Sequence, residues 1–433
     1  MDPKANKQYE YEDESKETSN IMDLLGYGPL IRKTRREAYT ELDRFRVKYV
    51  DRWLFSITTG SKAEGLTCVF KNDIDQIFVA RNAMCLEEGI DQSTISGDID
   101  LFNMNFQTTS AGYCRLLQGR HGPIGPIHII NALCEDGCGN FVLSSTLYLE
   151  QYTRVRLPGI LYHASVGPSL PCSTGQFRLD KVHAIRCHCP SILQTWANRL
   201  RNWPPQKVIA MGAFVAPIGF KGSAFNHLEW RICVNTAETE LVNNLNDTQV
   251  KIYVILKMVV HDVLSPNTKE ITSYILKNIV LWLAENNPQE VFHSGSLFHW
   301  LHGGFDILQK SISTRHLSYY MIPERTFMAE RDLHDNQQRE FATSINCIMN
   351  EGPRLLLRLK KIRRAIVSHP EPLLWYSRMR TKLEILYLMM LNRFQCTDFN
   401  GICDESDSMI HSLSKRAVEI AVEVVWHMHQ EGS

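Results

Sequence analysis

The sequence predicts an α+β fold, in which a helix precedes a mixed α/β region and a helical region follows. Apolar residues recur at helical spacing near the N-terminus and again from Thr236 onward. Between these regions, residues 54–190 carry short apolar runs separated by Gly, Asn, Asp and Pro, which is the pattern of strands and turns. The 433 residues are enough for two or three domains, or for one large unit with two parts.

The predicted N-terminal helix has a basic face. Residues 32–52 contain eight basic and four acidic side chains, while Leu42, Phe45 and Tyr49 recur at steps of three or four residues. Such a face is either a solvated helix surface or a binding surface, and charge alone does not separate the two. Residues 1–25 are rich in acids and poor in large apolar side chains, which predicts a disordered acidic tail.

The remaining elements follow from runs of strand or helix character. Strands are predicted in residues 53–57, 68–70, 77–80, 141–149 and 177–187. Helices are predicted in residues 238–245, 250–264, 271–285, 340–350, 354–368, 373–393 and 414–430. Residues 354–364 hold six cations and no acid, which makes a second basic run.

The composition argues against several classes of protein. Lys+Arg and Asp+Glu each number 47, so the net charge is zero and no global field attracts nucleic acid or anionic membranes. Twelve cysteines are too few for a disulfide scaffold, and the first twenty residues lack the basic-then-apolar layout of a signal peptide. Because no uncharged apolar run reaches about 18 residues, no membrane partner is expected. We therefore expect free thiols and a cytoplasmic or nuclear location.

Two short motifs indicate a site for phosphate and metal ions. Gly60-Ser61 closes one strand-like run, and Asp73-Ile74-Asp75 opens another. Alternate side chains on a strand share a face. Two carboxylates that lie so close together attract a hard cation such as Mg²⁺ or Mn²⁺. A Gly-Ser turn that opens a helix presents N–H groups and a hydroxyl to phosphate oxygens. Together the motifs are typical of two-metal nucleotidyl transfer, although each alone also occurs by chance.

A third carboxylate is usual at two-metal sites. Asp180 opens a strand-like run and is the candidate, with a solvent-exposed aspartate at a strand edge as the alternative. A competing zinc site would use the clustered residues His183, Cys187, His188 and Cys189, or the pair Cys134 and Cys138. Neither group has the paired spacing of structural zinc, so no structural zinc is expected.

Several motifs recur in the order found in one known family. They are Gly60-Ser61, Glu64-Gly65-Leu66, Asp73-Ile74-Asp75, Glu229-Trp230-Arg231, Ala237-Glu238 and LSYYMIPE at residues 317–324. Across about residues 30–330 the chain resembles the Male-abnormal-twenty-one (Mab-21) family of nucleotidyltransferase-fold proteins, and within it the animal cyclic GMP-AMP synthase-like receptors. Residues 190–204 and 243–257 resemble the invertebrate branch.

The resemblance implies a two-lobed nucleotidyltransferase fold. Residues 26–235 would form the catalytic lobe, with a mixed sheet and a long N-terminal spine helix, and residues 236–370 a helical-bundle lobe that completes the cleft. Residues 371–433 would be a helical C-terminal extension. Such receptors bind double-stranded nucleic acid and then join two nucleoside triphosphates, here ATP and GTP, into a cyclic dinucleotide for innate immune signalling.

The same resemblance implies roles for individual residues. Asp73, Asp75 and Asp180 would hold two Mg²⁺ or Mn²⁺ ions, and Gly60-Ser61 the donor triphosphate. Further nucleotide contacts are implied for Arg231, Glu238, Lys257, Ser273, Tyr274 and Lys277, with Lys257 on a phosphate and Tyr274 stacked under the donor base.

The activator implied is double-stranded RNA rather than double-stranded DNA. The vertebrate DNA sensor of the family has a zinc-binding insertion where this chain passes directly from Leu245 to Lys251. Duplex RNA is recognised by its shape and phosphates, for which the basic helix offers a platform. Nucleic-acid contacts are therefore expected from Arg32, Lys33, Arg35, Arg36 and Arg44. A long duplex that engages several copies implies an activator-induced oligomer.

The alternative is a catalytically inactive Mab-21-like module that only binds nucleic acid or protein. Inactive relatives commonly lose one or more metal ligands. All three candidate acids and Gly60-Ser61 are present here, which favours the enzyme.

Overall fold

The chain forms a mixed β-sheet flanked by helices, followed by a largely helical region that packs against it. The computed structural model describes residues 9–49, 53–71, 73–123, 127–175, 177–199, 205–264, 271–328, 334–393 and 407–430. The predicted α+β fold class is confirmed. Residues 1–8 of the expected tail, Arg52 of the basic helix and residues 200–204 lie outside the described residues.

Helices account for most of the described residues. The α-helices are α1 Glu12–Met22, α2 Pro29–Tyr49, α3 Gly60–Ala63, α4 Ile127–Ile130, α5 Ser145–Thr153, α6 Pro190–Arg199, α7 Pro205–Ala210, α8 Asn235–Asn244, α9 Asp247–Val259, α10 Ser273–Asn286, α11 Leu297–Thr314, α12 Asp335–Glu351, α13 Lys360–Val367, α14 Leu373–Arg393 and α15 Ser408–Gln430. The strands are β1 Leu54–Thr59, β2 Asp73–Glu87, β3 Asp100–Asn105, β4 Tyr113–Gln118, β5 Leu133–Glu135, β6 Phe141–Leu143, β7 Leu161–Tyr162, β8 Ser169–Thr174, β9 Phe177–His188, β10 Ala213–Ala216 and β11 Glu229–Cys233.

The long strands β2 and β9 lie side by side and run parallel. The sheet order is β1-β2-β3-β4-β11-β10-β9-β8-β7, and the additional β2–β9 pairing closes this path on itself. Their register places Asp75 opposite Asp180 and Asp73 opposite Arg178. Because alternate side chains of a strand share a face, the three candidate acids lie on one side of this strand pair.

One apolar core joins the sheet to the helical region. Helix α9 is buried along most of its length, as its apolar composition on all sides requires. The polar side chains that α9 carries, among them Lys251 and Lys257, are therefore held in or beside the core. A cation in that position needs a partner or a ligand, because burying an unpaired charge is costly.

The expectation of a disordered acidic tail over residues 1–25 is wrong where the structure describes this segment. Helix α1 packs against α9 and α11, and its last residues are buried. The Ser15 hydroxyl accepts a hydrogen bond from the Phe298 N–H (3.1 Å), and the Ser19 hydroxyl accepts one from Lys251 (2.8 Å). The acids of α1 occupy mainly its outer face, so composition alone conceals a second face of small hydroxyl and apolar residues.

Three further element predictions differ from the structure, and one helix is not predicted. Residues 354–368, predicted as one helix, divide into a 3₁₀ helix (Gly352–Arg358) and α13. Residues 68–70 form a turn rather than a strand, because their apolar side chains pack against α2 and α14. Residues 141–149 divide into β6 and the beginning of α5, where Ser144 caps the helix. The sequence pattern does not predict α11, because Gly303 and Gly304 interrupt its helical propensity.

A buried ion pair joins α2 to α14. Arg35 donates through Nε and Nη2 to the two carboxylate oxygens of Glu384 (2.8 and 2.7 Å), and the side chains are 2% and 0% exposed. Arg35 Nη1 donates to the carbonyls of Gly26 and Gly65 (2.8 and 3.1 Å), and Glu384 also accepts from the Val69 N–H (2.9 Å). Burial favours the neutral carboxyl, but the hydrogen bonds from Arg35 outweigh it and lower the pKa of Glu384.

Replacing Glu384 tests how far the fold depends on this pair. Glu384→Gln is expected to lower the free energy of unfolding by about 3–5 kcal/mol, because Arg35 would stay buried without a carboxylate. Denaturant unfolding monitored by circular dichroism measures the change. Glu37→Gln is the matched control, since Glu37 lies on the exposed side of α2 near Lys33 (3.8 Å), and it should cost less than about 1 kcal/mol. Equal costs for the two variants would contradict this account.

Candidate active site

A cavity of about 320 Å³ lies between the β2–β9 strand pair and helices α8, α9 and α10. Its walls bring together residues that the sequence spreads over more than half of the chain. The expected metal- or nucleotide-contacting residues in the wall are Gly60, Ser61, Asp75, Asp180, Arg231, Glu238, Lys257, Ser273, Tyr274 and Lys277. Of the residues expected to contact metal or nucleotide, Asp73 alone is absent from this wall.

The turn from β1 into α3 brings the backbone directly against a carboxylate. Gly60 has φ +64°, and a Cβ at this position would lie 2.4 Å from Asp75 Oδ2, so a side chain here would displace the acid. The Ser61 hydroxyl accepts a hydrogen bond from the Thr67 hydroxyl (2.7 Å). Its own proton can therefore be donated to a group in the cavity.

Asp75 and Asp180 face the same cavity from neighbouring strands. Burial first, and then the negative charges of Asp180, Asp73 and Glu64, raise the pKa of Asp75 to about 6, with Lys277 partly offsetting them. The carboxylate charge around Asp75 thus exceeds what the neighbouring cations neutralise. This excess is the condition that a bound cation would relieve.

Asp73 lies at the rim of the site. Its side chain is 79% exposed, and its Oδ1 lies 3.8 Å from Arg178 Nε, which is also 3.5 Å from Asp180 Oδ1. Across the described part of the chain, no three His, Cys, Asp or Glu side chains are grouped so as to hold a metal ion. Asp75 and Asp180 suit a hard divalent cation because their charge is incompletely neutralised, whereas Asp73 does not complete the set in this arrangement.

Two buried glutamates hold Lys277 in the cavity wall. Its Nζ lies 2.5 Å from Glu64 Oε1 and 3.7 Å from Glu238 Oε2. Glu238 also accepts hydrogen bonds from the hydroxyls of Tyr274 and Tyr319. Burial opposes the charge of Lys277, but the two glutamates raise its pKa well above the usual value. The expected nucleotide-binding lysine is therefore neutralised by the protein itself.

Lys257 differs from Lys277 in how its charge is neutralised. Its ammonium lies 5.3 Å from the centroid of the Tyr253 ring, and among the residues that the structure describes it forms no ion pair with a carboxylate. Burial lowers the pKa of Lys257, although the charge of Glu64 partly offsets this. A buried cation without a counter-ion gains most from a bound anion, which agrees with the phosphate contact expected of Lys257.

The α10 end of the cavity is rigidly supported. The Ser273 carbonyl accepts a hydrogen bond from the Tyr253 hydroxyl (3.3 Å). The Tyr274 ring packs edge-on against Phe327, with centroids 5.1 Å apart. These contacts fix the orientation of Tyr274, and its stacking on a nucleobase stays a prediction.

Sequence reasoning assigns no chemical role to Glu64, Tyr253 or Tyr319. Glu64 and Tyr319 belong to the motifs that carry the family resemblance, and Tyr253 lies in the period of an apolar helix. The signal that could have identified them is a polar group inside an otherwise apolar run, because such a group needs a buried partner.

The basic face expected on α2 is smaller than its composition indicates. Arg32 donates to Asp247 at the start of α9 (2.9 Å), and Arg35 binds Glu384, so both guanidiniums are buried. The expectation that Arg32 and Arg35 contact nucleic acid is wrong for this arrangement, because each neutralises a carboxylate inside the protein. The other expected contacts are half-buried or exposed on the surface, namely Lys33, Arg36 and Arg44.

The helices around this cavity match a known family. Residues 240–347 match the family model described as the Mab-21 protein HhH/H2TH-like domain. Over this segment the chain is similar to the Mab-21 family. This family is nucleotidyltransferase-like, and the matched segment contains Lys257, Ser273, Tyr274 and Lys277. No curated protein sequence matches the chain. No helix in the described ranges has both the length and the apolarity needed to cross a membrane.

The raised pKa of Asp75 predicts a pH-dependent stability effect. A carboxyl with a pKa of about 6 in the folded state and 3.8 when unperturbed destabilises the fold above pH 6, and the penalty disappears as the pH falls toward 4. Asp75→Asn is therefore expected to raise the stability by up to about 3 kcal/mol near pH 8 in a chelator, with the gain lost near pH 4.

Thermal unfolding at the two pH values measures this effect. Asp98→Asn is the control, because its exposed side chain lies outside the cavity and should leave the melting temperature almost unchanged. A melting temperature for Asp75→Asn equal to that of the wild type near pH 8 would refute the electrostatic account.

Proposed function

We propose that this protein is a metal-dependent nucleotidyltransferase of the Mab-21 family that joins two nucleoside triphosphates into a cyclic dinucleotide. In this proposal the sheet and α2 form one lobe, helices α8 to α13 form the other, and the cavity between them is the active site. One observation carries the proposal: a cavity whose wall combines Asp75 and Asp180 with a Gly-Ser turn and the unpaired Lys257. Carboxylates whose charge is incompletely neutralised, and a lysine that forms no ion pair within the described residues, are together complementary to a metal-bound triphosphate.

In this proposal, one set of side chains binds the metal ions and another binds the phosphates. Asp75 and Asp180, joined by Asp73 from the rim, would hold two Mg²⁺ or Mn²⁺ ions, which when bound lower the pKa of the attacking ribose hydroxyl and stabilise the departing pyrophosphate. The Ser61 hydroxyl donates to the donor triphosphate. Lys257 neutralises phosphate charge from α9, and its partial burial strengthens that interaction by excluding water.

The nucleosides are held by the helical wall in this proposal. Arg231 and the network around Glu238 line the acceptor position, and Ser273 and Tyr274 line the donor base. The expected substrates are ATP and GTP. The linear product turns over in the same cavity and a second transfer closes the ring, so a single site performs both steps.

The proposed activator is double-stranded RNA, bound outside the cavity. Lys33, Arg36 and Arg44 supply cations on the surface of α2 that can meet a phosphate backbone. The proposed role is innate immune signalling in the cytoplasm, with copies of the protein assembling along a long duplex.

One observation favours a second candidate, a non-catalytic binding module. Asp73 is exposed beside Arg178, so the three acids do not converge on one position. A catalytically inactive Mab-21 protein would keep the cavity as a nucleotide-binding or structural feature and act through nucleic acid or protein contacts.

A synthesis assay decides between the two candidates. Purified protein with ATP, GTP, Mg²⁺ or Mn²⁺ and a long RNA duplex is expected to yield a phosphatase-resistant dinucleotide, measured by chromatography and mass spectrometry. Asp75→Asn should lower the rate by at least about 100-fold, because the carboxylate pair no longer holds the ions. Asp98→Asn is the matched control, since Asp98 belongs to a second Asp-x-Asp, is itself exposed and lies outside the cavity. An absence of product with RNA and DNA duplexes and all four triphosphates would favour the non-catalytic candidate.

Lys257→Met separates a ligand-binding role from a structural one. Because Lys257 is buried without a carboxylate, its replacement should leave the melting temperature unchanged or raise it. Product formation should nevertheless fall by at least about tenfold, since a charged hydrogen bond to phosphate is lost. The exposed Lys310→Met on α11 should change neither quantity. A variant that loses stability and activity in parallel would indicate a structural lysine instead.

A further inference from the structure

A second cavity, of about 420 Å³, lies on another side of the segment that joins α3 to β2. Its walls come from the kinked turn between α1 and α2, from residues 66–71, and from helices α13 and α14. Most of its helical wall lies beyond residue 347, where the family match ends. The charged residues in the wall are all basic: Arg35, Lys71, Lys361, Arg364 and Arg380.

Only one of these five cations is neutralised by a carboxylate in the described structure. Arg35 is paired with Glu384. The other four form no ion pair with any described carboxylate, so four positive charges converge on a concave surface without an acidic partner.

The contacts of Arg380 illustrate this excess of positive charge. Its Nη2 donates to the Leu24 carbonyl (2.9 Å), whereas its buried Nε has no hydrogen-bond partner among the residues that the structure describes. Gly26 has φ +88°, and a Cβ there would lie 2.8 Å from Arg380 Nη2 and 3.2 Å from Arg35 Nη2. Glycine thus allows two guanidiniums to approach the same point of the backbone. Burial and the charge of Arg35 lower the pKa of Arg380, and the charge of Glu384 only partly offsets them.

Helix α13 directs one pair of its cations into the cavity and another pair away from it. Lys361 and Arg364, three residues apart on one face, belong to the wall. Lys361 Nζ donates to the Tyr27 hydroxyl (3.3 Å), which places its ammonium at the cavity. Lys360 and Arg363 are exposed and lie outside the wall.

We propose that this cavity binds a small anion carrying several phosphate groups, either a nucleoside polyphosphate or an inositol polyphosphate. One guanidinium group can bind two phosphate oxygens at once. Several cations around one concave site therefore suit a ligand with several phosphates rather than a single carboxylate. The binding stands on the second cavity alone and does not depend on whether the first cavity is catalytic.

A ligand in this cavity would touch the segment that leads from Ser61 to Asp73. Thr67, Cys68 and Lys71 are in its wall. The same segment is held from the opposite direction, because Lys62 donates to the Cys68 carbonyl (2.7 Å). Anion binding is therefore expected to order residues 66–71, whatever the chemistry of the first cavity.

Calorimetric titration of the full chain with inorganic tripolyphosphate and with inositol hexakisphosphate, in a chelator, tests the proposal. The wild type is expected to bind at least one of these probes. The double substitution Lys361→Gln with Arg364→Gln should weaken binding by at least about tenfold, because two charge-assisted contacts are lost. The double substitution Lys360→Gln with Arg363→Gln removes the same charge from the same helix and should change affinity by less than about twofold.

Further arms identify the ligand source and exclude the first cavity. ATP titrated into the Lys257→Met protein tests the nucleotide arm without its expected phosphate contact, and binding of either ATP or the inositol polyphosphate supports the proposal. Hydrogen exchange at residues 24–27 and 66–71 should slow when the probe is added. The proposal is overturned if no probe binds, if both double variants weaken binding equally, or if Lys257→Met abolishes binding of the inositol polyphosphate.

Discussion

The buried carboxylate of Glu384 is the constraint on which the arrangement around both cavities depends. It binds Arg35 of α2 through both oxygens and accepts the N–H of Val69. One side chain of α14 therefore holds the long N-terminal helix and the segment between α3 and β2 in a fixed relation. Because Ser61 and Asp75 lie at the two ends of that segment, the C-terminal helices help to determine the geometry of the candidate active site. Residues 371–393 are thus part of the framework rather than an appendage.

The candidate active site contains two lysines whose charges are neutralised to different extents. Lys277 is enclosed by Glu64 and Glu238, which raise its pKa and neutralise its charge. Lys257 has an aromatic neighbour and forms no ion pair with a carboxylate of the described residues, and burial lowers its pKa. An incoming phosphate would gain little at the first lysine, where it would compete with carboxylates 2.5 and 3.7 Å away. It would gain most at Lys257, which is why the proposed function rests on that residue together with the Asp75–Asp180 pair.

Sequence periodicity was sufficient for the elements whose apolar faces repeat regularly. Helix α14 has the bounds that its pattern predicts, and the Asp-x-Asp run does begin a long strand beside the strand of Asp180. The failures share one physical cause, which is that partners distant in sequence cannot be seen in a local pattern. Arg32 and Arg35 look like a solvated basic face, but their carboxylates lie 215 and 349 residues further along the chain. Helix α1 looks like a disordered tail because its buried face consists partly of serines.

Local motifs predicted which residues line the first cavity, but they did not predict how the three acids are arranged in it. Ten of its residues carry chemical types that the motifs identify, so a list of candidates could be drawn from the sequence. The position of Asp73 beside Arg178 follows from the register in which β2 and β9 pair. A register is a property of two strands about a hundred residues apart, and no single motif encodes it.

The net charge of zero does not show how individual cations are neutralised. Some cations are paired with acids inside the fold, whereas others are partly buried without such a partner in the described part of the chain. Arg32, Arg35 and Lys277 are paired with acids inside the fold and contribute no field outside it. Lys257 and Arg380 are partly buried and unpaired with carboxylates, so each represents a cost of folding that a bound anion would remove. These two cations lie in different cavities, Lys257 in the wall of the first and Arg380 in the wall of the second. In each cavity, the cation that the fold leaves without a carboxylate therefore marks the place where a bound anion would stabilise the protein most.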